Sequence, residues 1–142
     1  MAVAPTEALA IASLAMVLSY MGRSEDAVEA AAQARRLESR SIFPSSYFAR
    51  VGNAYTVAGR YNEARAALQR ALSGFPNRRG IHLMLAVVYG ELGRAAEARA
   101  QAAEVLRLNP YFSLAVHKQR MPIKDPTALE RHLTALRKAG LK

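Results

Sequence analysis

Apolar positions along the chain recur with the spacing of helices rather than strands, in blocks separated by Gly and Pro. From Pro5 to Met21 the block has no polar face, because Leu9, Ile11, Leu14, Met16, Val17 and Leu18 surround the helix axis. A helix that is apolar all round is buried or is missing a neighbour. The next block, Glu25 to Leu37, carries Ala27, Ala30, Ala31 and Ala34 as a packing face. After a longer connection from Glu38 to Pro44, Ser45 or Ser46 is placed to cap a third helix that ends near Ala58. Further helices are predicted over Tyr61 to Gly74, Ile81 to Leu92 and Ala95 to Leu108. A shorter one, Ser113 to Arg120, is broken by Pro122. Asp125-Pro126 supplies an N-cap and a first-turn proline for a last helix. That helix has Leu129, Leu133 and Leu136 on one stripe, a basic last turn and Gly140 as its stop. No segment reads as a strand, so the fold class is all-α.

The blocks repeat. Gly59-Arg60-Tyr61-Asn62-Glu63-Ala64-Arg65 returns as Gly93-Arg94-Ala95-Ala96-Glu97-Ala98-Arg99, a shift of 98 − 64 = 34 residues. The same step carries Tyr55 onto Tyr89, Pro76 onto Pro110 and Val51 onto Leu85. A weaker copy, Gly22-Arg23-Ser24-Glu25-Asp26-Ala27, lies 64 − 27 = 37 residues before the second. A fixed period of roughly 34 residues belongs to stacked helix pairs. Each glycine follows an apolar helical run, where a helix commonly ends in the left-handed conformation that glycine adopts cheaply. Ala64 and Ala98 let two antiparallel helices approach closely, and Pro76 and Pro110 stop the second helix of each pair.

The pattern resembles the tetratricopeptide repeat. In the second copy the family's positions are held by Gly52, Tyr55, Gly59, Ala64, Leu68, Ala71 and Pro76, and in the third by Ala86, Tyr89, Gly93, Ala98, Ala102, Val105 and Pro110. Phe48 and His82 stand where the family has tryptophan, and the first copy has Leu18 at the tyrosine position. The resemblance implies one domain, a right-handed α-solenoid of three repeats over about 8–41, 45–78 and 79–112. A degenerate capping unit over 113–142 would complete it. The tail, with Asn109-Pro110-Tyr111-Phe112, Met121-Pro122-Ile123-Lys124-Asp125-Pro126 and Leu136-Arg137-Lys138-Ala139-Gly140, is similar to a group of bacterial proteins. In that group such repeats follow an adenylate/guanylate cyclase domain or a DNA-binding regulatory domain. This implies the regulatory part of a larger signalling protein.

Composition narrows the classes. The chain has no cysteine, which removes disulfide frameworks, thiolate metal sites and cysteine nucleophiles and suits a reducing cytoplasm, the expected location. The first helix is too short to span a bilayer and has no basic leader, so neither a membrane anchor nor a signal peptide is expected. The net charge of +9 would suit nucleic acid if clustered. The arginines instead decorate the repeat, from Arg35 and Arg50 through Arg65, Arg78 and Arg94 to Arg107, so a nucleic-acid partner is disfavoured.

No catalytic or cofactor constellation is legible. His82, His117 and His132 lack a second ligand at metal spacing on one helical face, and His82 reads as a core or boundary residue. The Gly-Arg motif ends a helix and cradles no phosphate. Neither enzyme activity nor a cofactor is expected.

What remains is the groove lined by the first helix of each pair, where proteins of the resembled family bind extended or helical peptides. Helical spacing puts Ser46, Arg50, Asn53 and Val57 on one stripe of the second unit. The corresponding stripe of the third is Gly80, Met84, Val87 and Glu91, and that of the first is Leu9, Ser13, Met16 and Tyr20. Of the several Lys, Arg and Asn residues with which some family members grip a terminal carboxylate, only Arg50 and Asn53 have counterparts. The expected function is a peptide- or helix-binding interaction module. The alternatives are a module that dimerises through its apolar first helix and a nucleic-acid binder.

Overall fold

The computed structural model describes residues 5–38 and 43–142. Eight helices follow one another, α1 Pro5–Tyr20, α2 Ser24–Arg36, α3 Ser45–Val57, α4 Tyr61–Gly74, α5 Arg79–Glu91, α6 Ala95–Leu108, α7 Leu114–Arg120 and α8 Pro126–Lys138. No strand occurs among the described residues. Most of the connection from Glu38 to Pro44, including the end of the first repeat near Ser39, lies outside them.

The turn inside each pair is built the same way three times. Gly22, Gly59 and Gly93 take φ of 84°, 84° and 76°, the region that costs a side chain most. The amide after each glycine then reaches back over the helix end, Arg60 to the Tyr55 carbonyl and Arg94 to that of Tyr89, both at 2.8 Å, and Arg23 to that of Leu18 at 3.0 Å. This double wrap satisfies carbonyls that the helix leaves free. The motif's arginine then pairs with the acid three residues on: Arg23 with Asp26, Arg60 with Glu63 and Arg94 with Glu97. These pairs are largely solvent-exposed and contribute at most about 1 kcal/mol each. The N-cap position of α3 is held by Pro44, and neither Ser45 nor Ser46 caps the helix. The Ser45 hydroxyl instead occupies the space that a Cβ on Gly74 would need.

α1 packs against α3 and α3 against α5, whereas α2, α4 and α6 make little or no contact with one another. A row of helix pairs joined along one edge and splayed along the other curves toward the joined edge. The result is a helical repeat solenoid with α1, α3 and α5 on its concave face. Close approach depends on small residues: Gly52 of α3 faces Leu68 of α4, and the alanines of α2 are buried against the rest of the first unit.

α1 turns its small residues inward and its large ones outward. Ala8, Ala12, Ala15 and Ser19 are almost fully buried, while Leu14, Val17 and Met21 are 52%, 47% and 49% exposed.

The last two helices do not extend the stack in register. Ser113 caps α7 and Asp125 caps α8. The segment between them runs back to the first repeat, where the Lys124 amide donates to the Tyr20 carbonyl at 2.8 Å. α8 then packs on α5 and leaves the outer face of α6 open. The chain end is tied down by the Leu114 amide donating to the Lys142 carbonyl, with Leu141 buried.

Candidate functional site on the concave face

The expected groove is divided into an open half and a filled half. Ser46, Arg50 and Asn53 line the open half together with Met16 of α1 and Gly80 of α5, each on the stripe expected of its unit. With Ala49, Arg78 and Ile81 they bound a cleft of ≈ 330 Å³. Three repeats thus contribute to one hollow because their first helices lie side by side. Among the described residues Arg50 makes only a long contact, 3.4 Å, with the Ser46 carbonyl, and no carboxylate lines the cleft. Arg78, which stripe spacing did not single out because it precedes α5, lies over the Phe75 ring at 3.8 Å. Asn53 approaches the Met16 sulfur at 3.8 Å. Burial raises the nearby Tyr20 hydroxyl above the usual phenol range, an effect that Asn53 offsets in part.

In the filled half, α8 is the occupant. Val57, Val87, Thr56 and Tyr61 face Ile123, Ala128, Arg131 and His132 across a space of only ≈ 40 Å³. Met84 and Val87, expected as apolar contacts for a partner, are 5% and 3% exposed. Glu91 accepts from Arg131 of α8 at 3.4 Å, and that guanidinium also stands 5.4 Å from the Tyr61 ring centre. Burial, with Glu91 nearby, holds the Tyr61 hydroxyl above its ordinary range. The signal for this arrangement was present in the stripe of Leu129, Leu133 and Leu136, which needs an apolar surface, but spacing alone does not say which surface.

Sequence spacing also missed a histidine pair. His117 of α7 and His132 of α8 lie with their Nε2 atoms 3.0 Å apart and their rings stacked at 5.2 Å. One ring must donate and the other accept, so the contact excludes two imidazolium cations. His132 is held down to about 4, first by burial and then by His117. Burial, and then Arg79, also lowers His117. His82 is buried, with Nδ1 at 2.7 Å from Gln101 Oε1 and Nε2 at 2.7 Å from the Pro76 carbonyl. Among the described residues no group of three or more His, Cys, Asp or Glu side chains is placed to hold a metal ion. No helix there is long and apolar enough to cross a membrane.

Curved stacks of helix pairs with a side-chain-lined inner face define a class of interaction scaffold. Residues 57–114 match a family described as Tetratricopeptide repeat. The match runs from the end of α3 to the start of α7, so it takes in the second helix of the second copy and the whole of the third, and over that stretch it supports the likeness to tetratricopeptide repeats. No curated protein matches the chain.

Proposed function

We propose that the chain is a non-enzymatic protein-interaction module that receives an acidic peptide in the open half of its concave face. The observation that carries this is the ≈ 330 Å³ cleft lined by Arg50, Arg78, Asn53 and Ser46 with no acidic residue. Extended peptides in such grooves are held by side-chain hydrogen bonds and by pockets for alternate residues. A guanidinium without a carboxylate partner suits an acidic side chain or a terminal carboxylate. Met16 and Ile81 supply the apolar floor. α8 closes the remainder of the groove and limits the length of peptide that fits. The similarity of the tail to cyclase-type and regulator proteins favours a place in the regulatory part of a larger signalling protein.

The test is a panel of fluorescent acidic peptides, read by anisotropy against neutral and basic peptides of the same length. The acidic set is expected to bind best. Replacing Arg50 and Asn53 together by Ala is expected to weaken binding about tenfold or more, from the loss of charge-assisted hydrogen bonds. Affinity that is the same in parent and variant, with unchanged helical content, would remove the cleft as the site.

A further inference from the structure

The repeat register shows what the exposed face of α1 is made for. Moving forward by the repeat shifts of 37 and then 34 residues carries Leu14 onto Val51 and Leu85, and Val17 onto Ala54 and Val88. It carries Met21 onto Ala58 and Leu92. Val51, Ala54, Leu85 and Val88 are all at most 1% exposed, whereas Leu14 and Val17 are about half exposed. On α3 and α5 this stripe is covered because each helix docks onto the pair before it. On α1 the same stripe is uncovered, and its large apolar side chains face outward.

The mating face stands at the other end of the same chain. On α4, Gln69 reaches the next repeat directly, its Nε2 donating to the Tyr89 hydroxyl at 2.8 Å. The residues of α6 one repeat beyond Tyr61, Arg65, Gln69 and Leu72 are Ala95, Arg99, Ala103 and Leu106, and all four are exposed. α8 does not cover them, because it turns back onto α5. Where α4 has Tyr61, α6 has only Ala95. Beside it a cleft of ≈ 750 Å³ opens between the first turn of α6 and α8, floored by Gly90, Gly93, Ala95 and Ala98.

We propose that α1 of one copy docks on α6 of a second copy, head to tail, so that the solenoid continues from chain to chain. The occupant of the α1 face is therefore another molecule of this protein. Antiparallel docking, the direction in which α5 follows α4, places Met21 at the cleft beside Ala95 and brings exposed Glu7 toward Arg107. Within the chain Arg65, the counterpart of Arg99, is half-buried at this junction, with its Nε lacking a hydrogen-bond partner among the described residues. The contact is heterologous and leaves one free face of each kind at the two ends, so it grows open-ended unless the rotation closes a ring. It is independent of the peptide-binding cleft, whose residues take no part in it. Because each copy carries +9, repulsion opposes stacking at low salt, and raising the salt screens it.

Light scattering on the 142-residue chain across a concentration series tests this. The mean mass is expected to rise above 15.5 kDa with concentration, without levelling off at two chains, and to rise further with salt. Leu14→Asp and Leu106→Asp, both at exposed positions, are each expected to give single chains with unchanged helical circular dichroism. Val17→Lys replaces Leu14→Asp if that variant loses helicity. Mixing the two defective proteins in equal amounts joins the one intact face of each and is expected to give two-chain species and nothing larger. A parent chain that stays single at every concentration and salt would overturn the proposal. If Leu106→Asp keeps the parent's mass while Leu14→Asp is single, the contact is α1 to α1, and the proposal also fails.

Discussion

Gly52→Val is expected to lower the unfolding free energy of the chain by about 3 kcal/mol, at the upper end of what overpacking a close-packed interior usually costs. A Cβ at position 52 would lie 2.6 Å from both Cγ and Cδ2 of Leu68, and 3.3 Å from the Leu68 backbone nitrogen. Leu68 is fully buried. The backbone contact also prevents a purely rotameric escape, so α3 and α4 must separate. Replacing a helical glycine by alanine ordinarily gains about 0.5–1 kcal/mol, β-branched valine gains less, and here the clash outweighs that gain. The size of the effect is large against the roughly 5–15 kcal/mol by which folded proteins are stable. Urea denaturation monitored by circular dichroism measures it. The double variant Gly52→Ala with Leu68→Ala separates the clash from a general intolerance of position 52. Leu68→Ala alone is expected to cost about 2–5 kcal/mol, and the added methyl at 52 then fills part of the hole, so the two changes together cost less than their sum. Simple additivity would show that the Gly52–Leu68 approach does not limit the packing of these helices.

Acid is expected to release the C-terminal helix. His132 is 4% exposed and its folded-state value is depressed from 6.5 to about 4, so the unfolded chain binds the proton more readily. Stability rises with pH wherever the unfolded state holds more protons. The contribution of this group is therefore fully present above about pH 6.5 and is lost as the pH falls to about 4. The shift corresponds to roughly 3 kcal/mol. The groups around the pair reinforce the sign. Arg79, at the start of α5, lowers His117, and Arg131, adjacent in sequence on α8, is engaged by Glu91 and Tyr61. A second proton on the pair would place two cations in contact in a buried position. Denaturation midpoints measured from pH 7 downward are expected to fall through this window. His132→Gln is expected to be less stable at neutral pH but to lose less on acidification. If parent and variant lose stability in parallel below pH 6.5, the histidine pair is not what holds α8 in the groove.

The limits of legibility lie at particular residues. The boundaries of the helix pairs were readable because they are set within a few residues. Gly22, Gly59 and Gly93 provide the left-handed turn, Asp125 and Pro126 provide the last helix start, and the repeat shift ties the copies together. The concave stripe was readable in part. Met16, Ser46, Arg50, Asn53 and Gly80 share one cleft because equal spacing on parallel helices produces a common face. Arg78 was not readable, because it precedes its helix and enters the cleft through the course of a loop. Val57, Val87 and Glu91 share the stripe yet face α8, and the pairing of His117 with His132 joins two helices whose spacing in sequence suggests no contact.

By itself, then, the sequence determined the all-helical repeat, its turns and the small-residue contacts within each pair, because local spacing, glycine conformation and side-chain size act over one or two helices. The tertiary structure alone decided that the last helix returns to fill half of the concave face, and that the same repeat stripe is buried on α3 and α5 but open on α1. Those outcomes depend on which apolar surfaces meet across the whole chain, and the hydrophobic effect that drives them is proportional to area and carries no direction.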